Sequence, residues 1–117
     1  VDVDFLCEDL RDYEPQRGAF DLVLVFYIHV PADERRILLS RAADALSPGG
    51  TFVLVGHDLT NMTEGVGGPS DPRIHFTPEE IASELPGLEI EKAERVYRDV
   101  KGEERDAIDA LVRARKL

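Results

Sequence analysis

The chain reads as an α/β domain built on a parallel β-sheet, and three stretches of its 117 residues predict this. Phe20 to Val30 is a nearly unbroken run of β-branched, aromatic and Leu residues. It lacks the polar alternation of a strand that faces water on one side, so it is expected to be a central strand covered on both faces. Pro31 to Leu46 has helical spacing, and Thr51 to Gly56 is a second apolar run that follows Ser47-Pro48-Gly49-Gly50. Strand, helix and strand at this spacing make a βαβ crossover, for which the right-handed path is strongly favoured.

Each element has a local justification. Val3 to Cys7 is a short apolar run ending in Glu8-Asp9-Leu10, which predicts a strand entering a loop. Arg11 to Ala19 is polar, carries Pro15 and Gly18, and connects to the next strand. Pro31 or Ala32 suits the first turn of the helix, where Asp33 and Glu34 sit at the positive end of the macrodipole. Leu38, Ala42, Ala45 and Leu46 form one apolar stripe, while Arg35, Arg41 and Asp44 are expected to face outward. Pro48 cannot continue the helix, and a Gly supplies the positive φ that ends it.

Asp58 to Arg73 is expected to be irregular, because Gly65, Gly67, Gly68, Pro69 and Pro72 oppose both helix and strand. A loop of that length usually carries function or motion. Thr77-Pro78-Glu79-Glu80 has the cap, the Pro and the Glu of a helix start, and Pro86-Gly87 ends that helix. Leu88 to Val100 alternates in part and predicts an edge strand. Lys101-Gly102-Glu103-Glu104 is a turn. Ala107 to Ala114 fits helix or strand by periodicity alone; strand is preferred because a hairpin with the preceding segment closes the sheet.

Composition narrows the function. The net charge is −10, from 14 Lys and Arg against 24 Asp and Glu. Nucleic-acid binding needs clustered cations, so this balance points away from it. With 1 cysteine no disulfide can form within the chain, and a cysteine-rich zinc site is excluded. Cys7 sits in an apolar run and is expected to be a buried, unreactive residue. No window approaches the roughly 18 apolar residues of a membrane span. Asp2, Asp4, Glu8 and Asp9 argue against a signal peptide at the start, so the cytoplasm is the expected compartment. His57 and Asp58 are adjacent but lack a convergent third ligand, so no metal is expected.

In an open α/β sheet, ligands gather outside the carboxyl ends of the strands. That rule selects Glu8 to Arg11, Phe26 to Pro31 and Gly56 to Asn61. The wording of the chain adds to it. Phe20-Asp21-Leu22-Val23 through His29, followed by Leu46-Ser47-Pro48-Gly49-Gly50 and its strand, resembles the second half of a class I S-adenosylmethionine-dependent methyltransferase. The resemblance covers nearly the whole chain. It implies a Rossmann-like sheet that is incomplete, with the first two strands and the glycine-rich loop absent, and with a carboxyl-terminal antiparallel hairpin. Residues 1–117 would then be a single partial domain, preceded by a further segment in the natural protein.

The resemblance also implies a cofactor, S-adenosyl-L-methionine, and a small-molecule methyl acceptor. By position, the Asp9 carboxylate would accept a hydrogen bond from the adenine amine, and the Leu10 N–H would meet the ring. Phe26 and Tyr27 would lie beside the methionine part. His29 would touch the substrate and, for an oxygen or nitrogen acceptor, be the first candidate for general base. Gly56 to Asn61, with the Gly65 to Pro69 loop, resembles a subgroup that includes the tellurite-resistance and thiopurine-type methyltransferases, and His57 and Asn61 would contact substrate. Without its usual neighbours the Phe20 to Val30 strand keeps a bare edge, which invites self-association or swapping. Weak cofactor binding is expected from this chain alone. Two other readings remain: a non-catalytic α/β module that scaffolds a partner through its open edge, and a nicotinamide-dependent enzyme. The latter is disfavoured because no Gly-x-Gly-x-x-Gly follows any strand.

Overall fold

The computed structural model describes all residues from Val1 to Leu117. Its centre is a four-stranded sheet of β1 (Phe20–Phe26), β2 (Leu46–His57), β3 (Leu88–Arg98) and β4 (Ala107–Lys116), in the order β1-β2-β4-β3. β1 and β2 are parallel and are joined by helix α1 (Ala32–Ala45), which is the expected βαβ unit. β4 pairs antiparallel with both β2 and β3, so the expected hairpin is present and β3 is the outer strand. Short helices α2 (Asn61–Glu64) and α3 (Pro78–Ser83) lie between β2 and β3. Thr77 caps α3 by accepting the Glu80 N–H at 3.2 Å.

One face of the sheet carries the core. Phe52, Leu54, Ala110, Val112 and Ala114 are buried there against Leu39 and Ala42 of α1, Leu46 at the start of β2, and Phe76, Ile81 and Leu85. Because strand side chains alternate, the partners on the other face are Leu22, Leu24, Phe26, Val53, Val55 and Leu111. No helix covers them. Leu22, Leu24 and Phe26 are each about half exposed, at 54%, 50% and 48%.

Several expectations are corrected. Val3 to Cys7 forms no strand; Val3, Phe5, Leu6 and the free Cys7 are all exposed. A strand needs a neighbour for its backbone N–H and C=O groups, and nothing in this chain lies beside that segment. β1 ends at Phe26 rather than Val30, and it is an edge strand with one open face, not a covered central one. Ser47 to Gly50 falls within β2, at an irregularity of register between Phe20 and Leu22, with Gly49 at φ 83°. Asp58 to Arg73 is not wholly irregular, since α2 forms before the first glycine of the loop and Pro72–Ile74 makes a 3-10 turn.

Helix α1 departs most from its expected faces. Leu39, not Leu38, is the fully buried leucine, and Arg35 is buried rather than solvated. Its guanidinium forks onto Glu84, with Nε–Oε2 at 2.8 Å and Nη2–Oε1 at 2.7 Å. Arg41 also turns inward and donates to the carbonyls of Arg11 (2.9 Å) and Tyr13 (3.3 Å), which fastens the entry loop to the helix.

Candidate active site at the carboxyl rim

β1 and β2 run parallel, and antiparallel β4 begins where β2 ends. The exits of β1 and β2, the start of β4 and the end of β3 therefore share one rim. The register sets His57 opposite Asp109 and Asp109 opposite Val96, with Arg98 two residues beyond. Tyr27 joins them from the end of β1. Its φ of 53° is the only positive value at a non-glycine residue, a conformation uncommon for a bulky side chain. The strain is of a kind that collects at functional sites. Here it accompanies a hydroxyl that donates to Asp109 Oδ2 at 2.7 Å. Arg98 Nε donates to the same oxygen at 3.1 Å, and its guanidinium lies 5.8 Å from the Tyr27 ring centroid.

The aromatic rings form a continuous stack across the rim. Phe76 stacks on His29 at 5.1 Å, His29 on His57 at 5.1 Å, and His57 meets Tyr27 at 5.1 Å. Gly56 makes the approach of Phe76 possible: a Cβ there would sit 2.5 Å from Phe76 Cζ and 3.3 Å from His29 Nε2.

The expected site residues fall into four groups. Phe26 and Leu10 line one groove of about 460 Å³ along the free edge of β1, together with Ile28, Leu38 and Ala42. Tyr27 and His57 belong to the rim cluster. His29 and Asn61 are engaged within the protein. His29 Nδ1 lies 3.0 Å from the Ile74 carbonyl and its Nε2 accepts the His57 N–H at 3.1 Å, so no lone pair is free to take a proton. Asn61 is buried; its Oδ1 accepts the Ile108 N–H at 2.8 Å and its Nδ2 donates to the Gly67 carbonyl at 3.0 Å. It anchors a loop to the start of β4. Asp9 lies in the entry loop with both carboxylate oxygens on Arg11, which lowers its pKa to about 2.

Asp109 and Arg98 have no signal in the sequence that marks them as site residues. An acid in the run Ala107-Ile108-Asp109-Ala110 shows its importance only through the register that brings His57 beside it. No group of three or more His, Cys, Asp or Glu side chains converges in metal-binding geometry.

Burial is the main cause that holds His29 and His57 below their ordinary value of 6.5; around His57, His29 and Arg98 push the same way and Asp109 opposes. The sign follows. Between the folded and unfolded values, the unfolded chain binds more protons, so stability rises with pH there. This contribution is complete above about 6.5 and is lost as pH falls through the folded values. The urea midpoint is expected to fall between about pH 7.5 and about pH 5.5, and His29→Gln should flatten that slope. An equal slope in both proteins would contradict the assignment.

No family model matches the chain, and no curated protein matches it. Among solved structures it is similar to an S-adenosylmethionine-dependent methyltransferase from Methanosarcina mazei, with a TM-score of 0.70 at 16% identity over 94% of this chain and 65% of that one. A second such methyltransferase, from Mesorhizobium loti, gives a TM-score of 0.71 at 22% identity over 93% of this chain and 68% of that one. The cyclase SpnF gives a TM-score of 0.68 at 16% identity over 97% of this chain and 55% of that one. The fold is therefore the Rossmann-like fold of the class I S-adenosylmethionine-dependent methyltransferases. The chain spans between 55% and 68% of the length of these three neighbours.

Proposed function

We propose that this chain is the carboxyl-terminal portion of an S-adenosylmethionine-dependent methyltransferase acting on a small molecule. The observation that carries the reading is the shared rim: Phe26 and Tyr27 at the exit of β1, and His57 at the exit of β2, border one site on a sheet of methyltransferase topology. The cyclase neighbour is a reminder that fold alone does not fix chemistry. The rim supplies the rest of the argument.

The residues present fit one end of the cofactor. The groove beside β1 has 12 hydrophobic residues among 14. It runs along the open edge of β1, so on this reading most of its apolar lining is strand edge that the absent strands would cover, and only its upper end, at Leu10 and Phe26, reaches the rim. Leu10 and Phe26 would hold the adenine side, and Asp9 stands next to Leu10 as an acceptor for an exocyclic amine. When bound, the cofactor supplies an electrophilic methyl group. The protein's share is positioning, at which well-oriented sites excel.

Titration calorimetry tests the reading on the natural protein that carries this chain. Heat with a micromolar-range Kd for S-adenosylmethionine is expected. No heat at millimolar cofactor would sink the proposal in favour of a scaffolding module.

A further inference from the structure

We propose that His57, oriented by Asp109, is the proton acceptor of this site, and that the molecule methylated is accordingly an amine or a hydroxyl compound. The inference rests on the methyltransferase reading and narrows it: a thiolate or an oxyanion arrives without a proton to lose.

Four observations carry it. First, His57 Nδ1 and Asp109 Oδ1 are both buried, both without a hydrogen-bond partner, and 3.8 Å apart. Complementary orphan atoms facing each other across a strand pair close to a hydrogen bond with a rotation that moves them about 1 Å. Second, Asp109 cannot turn away, since Tyr27 and Arg98 both donate to its other oxygen. A carboxylate held in that way places the histidine proton on Nδ1 and leaves the lone pair on Nε2. Third, Nε2 makes no hydrogen bond within the protein, and the His57 side chain keeps 16% of its exposure at the rim. The other two histidines offer nothing comparable. Both nitrogens of His29 are engaged, and His75 sets Nδ1 on the Asp71 carbonyl at 2.8 Å and buries Nε2.

Fourth, the loop that follows β2 is built against the His57 ring. At Gly68 (φ 77°) a Cβ would stand 3.0 Å from the ring's Cγ and Nδ1. Asn61 holds that loop through the Val66 and Gly67 carbonyls, and its other end holds the Ile108 N–H, next to Asp109. One buried amide thus fixes both the cover of the histidine and the strand of its carboxylate. The charged and titratable groups that face His57 are Asp109 from β4, Arg98 from β3, Tyr27 and His29 from the β1 exit, and His75 beyond the 3-10 turn.

The step balances simply. For a hydroxyl acceptor the O–H bond breaks as the oxygen attacks, and the oxygen's electrons form the new O–C bond to the methyl group. For an amine the nitrogen lone pair forms the N–C bond, and an N–H bond of the resulting ammonium then breaks with its pair staying on nitrogen. In either case the methyl group leaves a sulfonium whose S–C electron pair stays on sulfur as the departing thioether. The proton binds His57 Nε2, and the resulting imidazolium is stabilised through Nδ1–H by the Asp109 carboxylate.

Two measurements on this chain test the pair without any cofactor. Imidazole 15N shifts should place the His57 proton on Nδ1, and diethylpyrocarbonate should label His57 while sparing His29 and His75. Asp109→Asn should move the proton to Nε2 and abolish labelling of His57. A wild-type proton on Nε2, or labelling of His29 or His75 at the His57 rate, overturns the pair; this result stands even if Asp109→Asn does not fold. The substrate class is tested with the natural protein and S-adenosylmethionine, using aniline, phenol and thiophenol as probes. Methylation of aniline or phenol that is lost in His57→Gln supports it. Transfer to thiophenol alone, or to none of the three, overturns it. Calorimetry with the cofactor separately reports whether the methyltransferase reading itself has failed.

Discussion

Arg35→Ala is expected to destabilise the protein by about 3–5 kcal/mol, a large share of the roughly 5–15 kcal/mol that holds a domain folded. Arg35 keeps only 4% of its surface exposed, and the Glu84 side chain that it grips keeps 10%. Removing the guanidinium leaves a carboxylate in a place from which water is excluded. The cost arises from that stranded charge more than from the lost attraction, because a buried pair gains little net over an apolar replacement. The double variant Arg35→Met with Glu84→Leu should therefore recover most of the loss. Urea denaturation checks both. A single variant within 1 kcal/mol of wild type, by the order of magnitude usual for surface pairs, would mean that water reaches the pair.

Phe76→Ala has the second largest expected effect, about 3–5 kcal/mol. Phe76 is 1% exposed and lies between the Arg35 guanidinium, 5.7 Å from its ring centroid, and the His29 ring. Its loss opens a cavity in the core and removes the surface on which His29 stacks, so it should also disturb the rim. Gly56→Ala probes the same contact from the other side, and overpacking there should cost about 1–3 kcal/mol. The two are neighbours and should not add: in a Phe76→Ala background the alanine at position 56 meets only the His29 ring, at 3.3 Å from Nε2, and should cost much less. Additive losses would place the Phe76 ring elsewhere.

How far the sequence reached is clear element by element. β1, α1 and β2 were legible because their apolar runs and the Pro-Gly-Gly break are local signals. α3 was legible through its cap, and β3 through partial alternation; β4 fits helix or strand by its own periodicity and was legible only as the second arm of a hairpin across the glycine turn. Arg35 was not, because its partner lies 49 residues away and a lone arginine on a helix is ordinarily solvated. Val3 to Cys7 has the composition of a strand, but composition supplies no partner for its backbone. The rim shows the same division. Tyr27, His29 and His57 could be placed near the site from position along the strands. Which histidine keeps a free nitrogen depends on the Ile74 carbonyl and the Asp109 carboxylate, and only the folded register brings those to them.

The account's central claim is that the rim where β1 and β2 end receives the cofactor. The most direct measurement is a backbone amide NMR titration of this chain with S-adenosylhomocysteine at millimolar concentration. Binding is expected to be weak, with shifts concentrated at Leu10 and from Phe26 to His29 and small at the opposite end, near Gly49 and Leu88. Shifts centred on that opposite end, or none at any residue, would contradict it.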